Sequence, residues 1–96
     1  VRMEFLVSIK VEVPQDFPAS SFEQLLIKER LRGQELKDQG SIERIWRLPG
    51  TRNNVGIWKA ADASELHSLL SSLPIFAFMK IEIVPLALHP LEEEMK

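Results

Sequence analysis

The chain has no cysteine. That removes disulfides, thiolate metal sites and a cysteine nucleophile, and it suits a reducing cytoplasm. Histidine is almost as scarce. His67 and His89 stand far apart with neither HxH nor HxxxH spacing, which argues against a metal centre. The four glycines form no phosphate-cradling loop, and no nucleophile-elbow motif supports a Ser-His-Asp triad. No apolar run approaches the roughly 20 residues that span a bilayer. Glu4, Lys10 and Glu12 interrupt any secretory-signal pattern at the start. Acidic and basic residues are interspersed around a net charge of −2, with no basic patch for nucleic acid and no polybasic run for an anionic membrane. The expectation is a soluble cytoplasmic protein with neither nucleic-acid nor membrane partner.

What is present fits one globular domain over residues 1–96, with 91–96, including the acidic run Glu92-Glu93-Glu94, as a solvated flexible tail. Phe5, Val7, Ile9, Val11 and Val13 alternate with Glu4, Ser8, Lys10 and Glu12, which predicts a half-buried strand ended by Pro14. A long helix follows from Pro18 to Gly40. Strands are predicted at Ile42–Leu48 and Val55–Ala60 around a turn at Pro49-Gly50 and Thr51–Asn54. Asp62 and Glu65 resemble a capping box opening a short helix whose Leu66, Leu69, Leu70 and Leu73 share a face, closed by Pro74. Met79, Ile81 and Ile83 alternate with Lys80 and Glu82 in a last strand that runs through Pro85.

The order βαββαβ packs most simply as a ferredoxin-like α+β fold: a four-stranded antiparallel sheet with two helices on one face. Leu6, Ile45 and Trp58 are then expected on the other face, which a second copy of the chain would cover most economically, as in dimeric α/β-barrels. Ile27 and Leu31 lie opposite the long helix's apolar stripe and favour a further contact surface. Trp46 and Trp58 read as core or interface aromatics.

One residue breaks the pattern. Phe22, Leu25, Leu26 and Leu36 cluster on one side of the long helix at about 100° per residue, and Glu29 falls within that cluster beside Gly33. A carboxylate there is costly unless paired, neutralised or useful. Desolvation would raise its pKa and suit it to proton transfer. The competing reading is a structural carboxylate, either paired with a nearby arginine or reaching the edge of the helix–sheet contact. Arg47 and Asn54 fall on neighbouring strands, where they suit a carboxylate and a carbonyl. Their competing readings are an interface bridge and a positive-φ turn residue.

The segment His67-Ser68-Leu69-Leu70-Ser71-Ser72-Leu73-Pro74-Ile75-Phe76, then Met79-Lys80-Ile81-Glu82-Ile83 and His89-Pro90, resembles the muconolactone Δ-isomerase family. So do Ile45-Trp46-Arg47 followed by Gly50, Asn54, and the opening stretch Met3–Pro14. The resemblance implies a ferredoxin-like fold, face-to-face pairing into a homo-oligomer (a dimer at least, up to a decamer in rings of dimers) and a reaction needing no cofactor. That reaction moves the double bond of a small unsaturated lactone by proton abstraction and reprotonation, converting muconolactone to the 3-oxoadipate enol-lactone in aromatic-compound catabolism. Glu29 occupies the family's first-helix glutamate position and would be the acid/base. Arg30, which stands where lysine is common, would act with it, and Arg47, Arg52 and Asn54 would bind the anionic substrate.

Departures fall on polar positions. Leu26 replaces a lysine one turn before Glu29, Thr51-Arg52 replaces His-Tyr, Arg44 replaces a histidine, Ala77 and Phe78 replace proline and tyrosine, and Leu88 replaces a basic residue. A retained scaffold with an altered pocket keeps other functions open. One is a non-catalytic ligand-binding or assembly module on the same fold; another is a lactone dehalogenase or cofactor-free oxygenase.

Overall fold

The computed structural model describes residues 2–93. Its elements run β1 (Met3–Val11), α1 (Ala19–Asp38), β2 (Ile42–Arg47), β3 (Asn54–Ala60), α2 (Ala63–Ser71), a 3₁₀ turn (Phe76–Phe78), β4 (Met79–Leu86) and a short α3 (Pro90–Glu93). The four strands form one sheet in the order β2-β3-β1-β4, antiparallel at every pairing. This is the ferredoxin-like βαββαβ arrangement. Part of the expected tail folds into α3, and residues 94–96 lie outside the described residues. No helix among the described residues is long and apolar enough to cross a membrane.

The helix ends follow local chemistry. Gly40 takes φ +84°, Ser41 N–H donates to the Leu36 carbonyl at 2.9 Å, and Gly40 N–H donates to the Lys37 carbonyl at 3.1 Å. These two bonds make a Schellman stop, which needs a left-handed residue at Gly40. At the start of α2 the Asp62 carboxylate accepts from Glu65 N–H at 2.8 Å. Glu65 reaches back to Ala61 N–H at 2.9 Å, one residue earlier than the usual capping box.

One face of the sheet is sealed by the helices. Phe5, Val7, Ile9, Trp58 and Ala60 pack with Leu36, Ile42, Leu66, Leu70 and Leu73 in a single buried cluster. Two residues expected on the opposite face lie on this one instead. Trp58 is only 1% exposed because it pairs with Phe5, and the pair shares the helix-facing side. Ile45 also faces the helices. A bulge between Ile42 and Arg44 inserts Glu43, and Ile45 then pairs with Gly56 opposite Val7. Leu6 does lie on the outer face, with Ile57, Val84, Val55, Leu86 and Trp46 in register beside it. No element among the described residues covers them, and Val84 is 51% exposed. Arg44 lies on the same outer side, its guanidinium 5.1 Å from the Trp46 ring centroid.

Gly56 allows the bulged strands to close together. A Cβ at that position would sit 2.5 Å from the Arg44 carbonyl oxygen. On α1, Ile27 and Leu31 project into solvent at 61% and 65% exposure, as their helical phase predicts.

Candidate functional site

The strands' inward positions change character along their length. At the end of the sheet where β2 leaves for the hairpin turn, the helix-facing row reads Ile45 and Arg47 on β2, Asn54 on β3, and Val11 and Met79 on β1 and β4. Side chains there do not close over one another. They line a cavity of about 370 Å³ with Leu26, Glu29 and Arg30 of α1, Thr51 and Arg52 of the turn, and Ile75 after α2. The five residues singled out from sequence, Glu29, Arg30, Arg47, Arg52 and Asn54, therefore meet around one space.

Glu29 arrives from α1 with its side chain half-buried, and its Oε1 accepts a hydrogen bond from the Ile75 backbone N–H at 3.1 Å. Burial pushes the carboxyl above the ordinary carboxylate value, and the Ile75 bond offsets part of that rise by favouring the charged form. The carboxylate is in no ion pair among the described residues. Its competing reading as one half of an arginine pair is not what the geometry shows.

Arg47 and Asn54 are directly paired in the β2–β3 ladder, so both project to the cavity side. Asn54 has no positive φ, contrary to its reading as a turn residue; it opens β3 in extended conformation. Its Oδ1 is buried with no hydrogen-bond partner. An orphaned acceptor at the lip of a cavity is expensive in an empty protein and is relieved by a ligand donor.

The turn carrying Arg52 is held by its own side chains. Thr51 Oγ1 donates to the Leu48 carbonyl at 2.8 Å and accepts from Asn53 N–H at 3.0 Å, while Asn53 Oδ1 accepts from Val11 N–H at 2.9 Å. The Arg52 guanidinium sits 5.0 Å from the Phe22 ring centroid. Phe22 is fixed in turn by edge contacts with Phe17 and Phe78.

Sequence reasoning missed Ile75 and the Phe22 seat. A backbone donor leaves no mark in a sequence, and Phe22 lies 30 positions from Arg52, beyond any local pattern. His67 packs edge-on to Phe76 at 6.4 Å and does not line the cavity.

A family model described as muconolactone delta-isomerase matches residues 3–92. The muconolactone Delta-isomerase of Cupriavidus pinatubonensis is 38% identical over 88 residues, covering 92% of this chain and 96% of that protein. Muconolactone Delta-isomerase 1 of Acinetobacter lwoffii is 38% identical over 88 residues, covering 92% of each. A crystal structure of muconolactone isomerase superposes with a TM-score of 0.85 at 32% identity, covering 92% of both chains. Fold and likeness over nearly the whole described length agree: the chain belongs to the muconolactone Δ-isomerase family.

Proposed function

We propose that the chain is an isomerase of the muconolactone type, shifting the double bond of a small unsaturated lactone without a cofactor. The observation that carries this reading is Glu29: a half-buried carboxyl, raised in pKa, and the one acidic group facing a cavity that three arginines also line. A carbon-bound proton beside a conjugated carbonyl needs a base of raised pKa and positive charge near the developing enolate oxygen.

The steps balance within this site. Ionised Glu29 removes the proton, the electron pair moves into the conjugated system, and the enolate charge falls near Arg30, one residue along the helix. The protonated Glu29 then returns the proton at the far carbon of the dienolate, which sets the double bond in its new place. With Oε1 held by Ile75 N–H, Oε2 is the oxygen that carries the proton. Arg47 and Asn54 take the substrate's carboxylate and carbonyl end.

The working unit is a homo-oligomer. Two copies placed with their outer faces together would cover Leu6, Trp46, Ile57 and Val84 and close a dimeric α/β-barrel. Ile27 and Leu31 offer a second contact for larger rings, up to a decamer. A chain without cysteine suits the reducing cytoplasm as its compartment.

The test is isomerisation of muconolactone in deuterated water, followed by NMR. The expected result is conversion, with deuterium entering the product at the reprotonated carbon to the extent that protonated Glu29 exchanges with solvent before it returns the proton. No conversion and no exchange would overturn the isomerase reading and leave a non-catalytic binding module.

A further inference from the structure

The cavity gathers three cations against one acidic group. Arg30, Arg47 and Arg52 reach it from a helix, a strand and a turn, and Glu29 is the one acidic residue among its lining groups. None of the three arginines is in an ion pair among the described residues, although Arg32, Lys59 and Lys80 all find carboxylates nearby. This concentration stands out in a chain whose net charge is −2.

The three cations also sit in different settings. Arg30 adjoins Glu29 on α1, where the reacting carbon must lie. Arg47 is paired in register with Asn54 and its orphaned oxygen. Arg52 stands apart on the turn, its guanidinium seated on the Phe22 ring and its backbone fixed by the Thr51 and Asn53 bonds. A guanidinium held against a ring still has N–H groups that the ring does not use and that a carboxylate can take. That contact restricts this exposed side chain before a ligand arrives, so a ligand anion gains the charge-assisted bonds at a somewhat reduced entropic cost.

We infer that Arg52 forms a second carboxylate subsite, and that the preferred ligand is a small γ-lactone bearing two carboxylates. This rests on the isomerase reading for the lactone itself, and it goes beyond that reading in naming the second acid group and the residue that binds it. With Glu29 ionised, a dianion brings the charge of the three arginines to balance, whereas a monoanion leaves one positive charge unmatched. A cavity of about 370 Å³ lies within the range of small-ligand sites, and a lactone with two short acidic arms is of suitable size.

Saturated lactones separate this inference from the chemistry, because they bind without isomerising. Calorimetric titration of the full chain with saturated γ-lactones bearing one and two carboxylates is expected to show tighter binding of the dicarboxylate. Arg52→Met keeps most of the side chain's length and apolar contact but removes the charge. It is expected to weaken the dicarboxylate by roughly 10- to 100-fold and the monocarboxylate by clearly less. Arg52→Lys should restore part of the loss. Equal affinity for the two lactones, or an equal loss for both in Arg52→Met, would overturn the second subsite. Turnover of the unsaturated counterparts by the unaltered chain tests isomerisation separately. Selective dicarboxylate binding without turnover would keep the subsite and reject the isomerase reading.

Discussion

The two ends of the helix-facing side of the sheet are built from the same strands, yet one is a sealed core and the other a cavity. At the sealed end every inward position is apolar: Phe5 and Val7 on β1, Trp58 and Ala60 on β3, closed by Leu36 of α1 and Leu66 and Leu70 of α2. At the open end the inward row continues as Ile45, Arg47 and Asn54, and the segment after α2 contributes only Ile75 and its backbone N–H. Arginine and asparagine cannot interdigitate as leucine and phenylalanine do, because their polar ends must reach water or a partner. The difference between core and site is therefore a change of residue type along a continuous pleat, with no change of fold.

If that division is real, substitutions at the two ends should separate activity from stability. The largest expected effect is at the open end. Glu29→Gln keeps an oxygen to accept the Ile75 N–H but cannot take a carbon-bound proton, and turnover should fall by roughly 10²- to 10⁴-fold. The oligomer should stay intact by sedimentation. An unchanged rate would remove Glu29 from the chemistry.

The counterpart at the sealed end is Phe5→Ala. Phe5 is buried against Trp58 and the helices, and truncation leaves a void that the close-packed cluster cannot fill. Stability by urea unfolding should drop by about 3–5 kcal/mol. Turnover per folded molecule should stay close to that of the unaltered chain. A large loss of turnover with little loss of stability would mean that the two ends are not independent.

Much of this division is legible in the sequence. Alternation along β1 and β4, the Asp62 cap and Gly40 set the elements, and the helical phase of Glu29 alone points to the site. Trp58 and Ile45 show where legibility stops. β3 is apolar on both faces, with Val55 and Ile57 on one and Trp58 and Ala60 on the other, so its own pattern does not say which face is covered. Pairing with Phe5 decides that, and pairing is a non-local fact. Simple alternation misplaces Ile45 because the bulge at Glu43 shifts the count by one, and a one-residue shift moves each later side chain to the opposite face. Gly56, which admits the bulge, is the one local trace of it.

Asn54 allows a finer test of the open end, since its buried oxygen serves no bond among the described residues. Asn54→Ala should lower kcat/KM by roughly tenfold through lost ligand contacts. In the ligand-free protein, stability should hold or rise by up to about 1 kcal/mol, because an unsatisfied acceptor is removed. This is the reverse of what a core substitution does. A marked loss of stability in the ligand-free protein would show that Asn54 holds the β2–β3 pairing together and is not there for a ligand.

The smallest effect is the pH dependence of stability that Glu29 contributes, and it bears most directly on what the open end does to a charge. Burial places the folded pKa above the unfolded value near 4.5, so between the two the folded chain binds more protons than the unfolded one. The stabilisation from the protonated form is complete below the unfolded pKa and is lost as pH rises through the folded pKa. Glu29→Gln has no such titration. The stability advantage of the variant over the unaltered chain should therefore be smallest in acid, grow across that window, and level off at higher pH. Because the carboxyl is only half-buried, solvent screening keeps the plateau small. Urea midpoints for both proteins across the acid range would trace it, other titrating groups cancelling in the difference. A difference that is flat with pH would mean that water at the open end solvates Glu29 as well as bulk water does. The open end would then offer neither a carboxyl of raised pKa nor the dry cavity that the proton transfer needs.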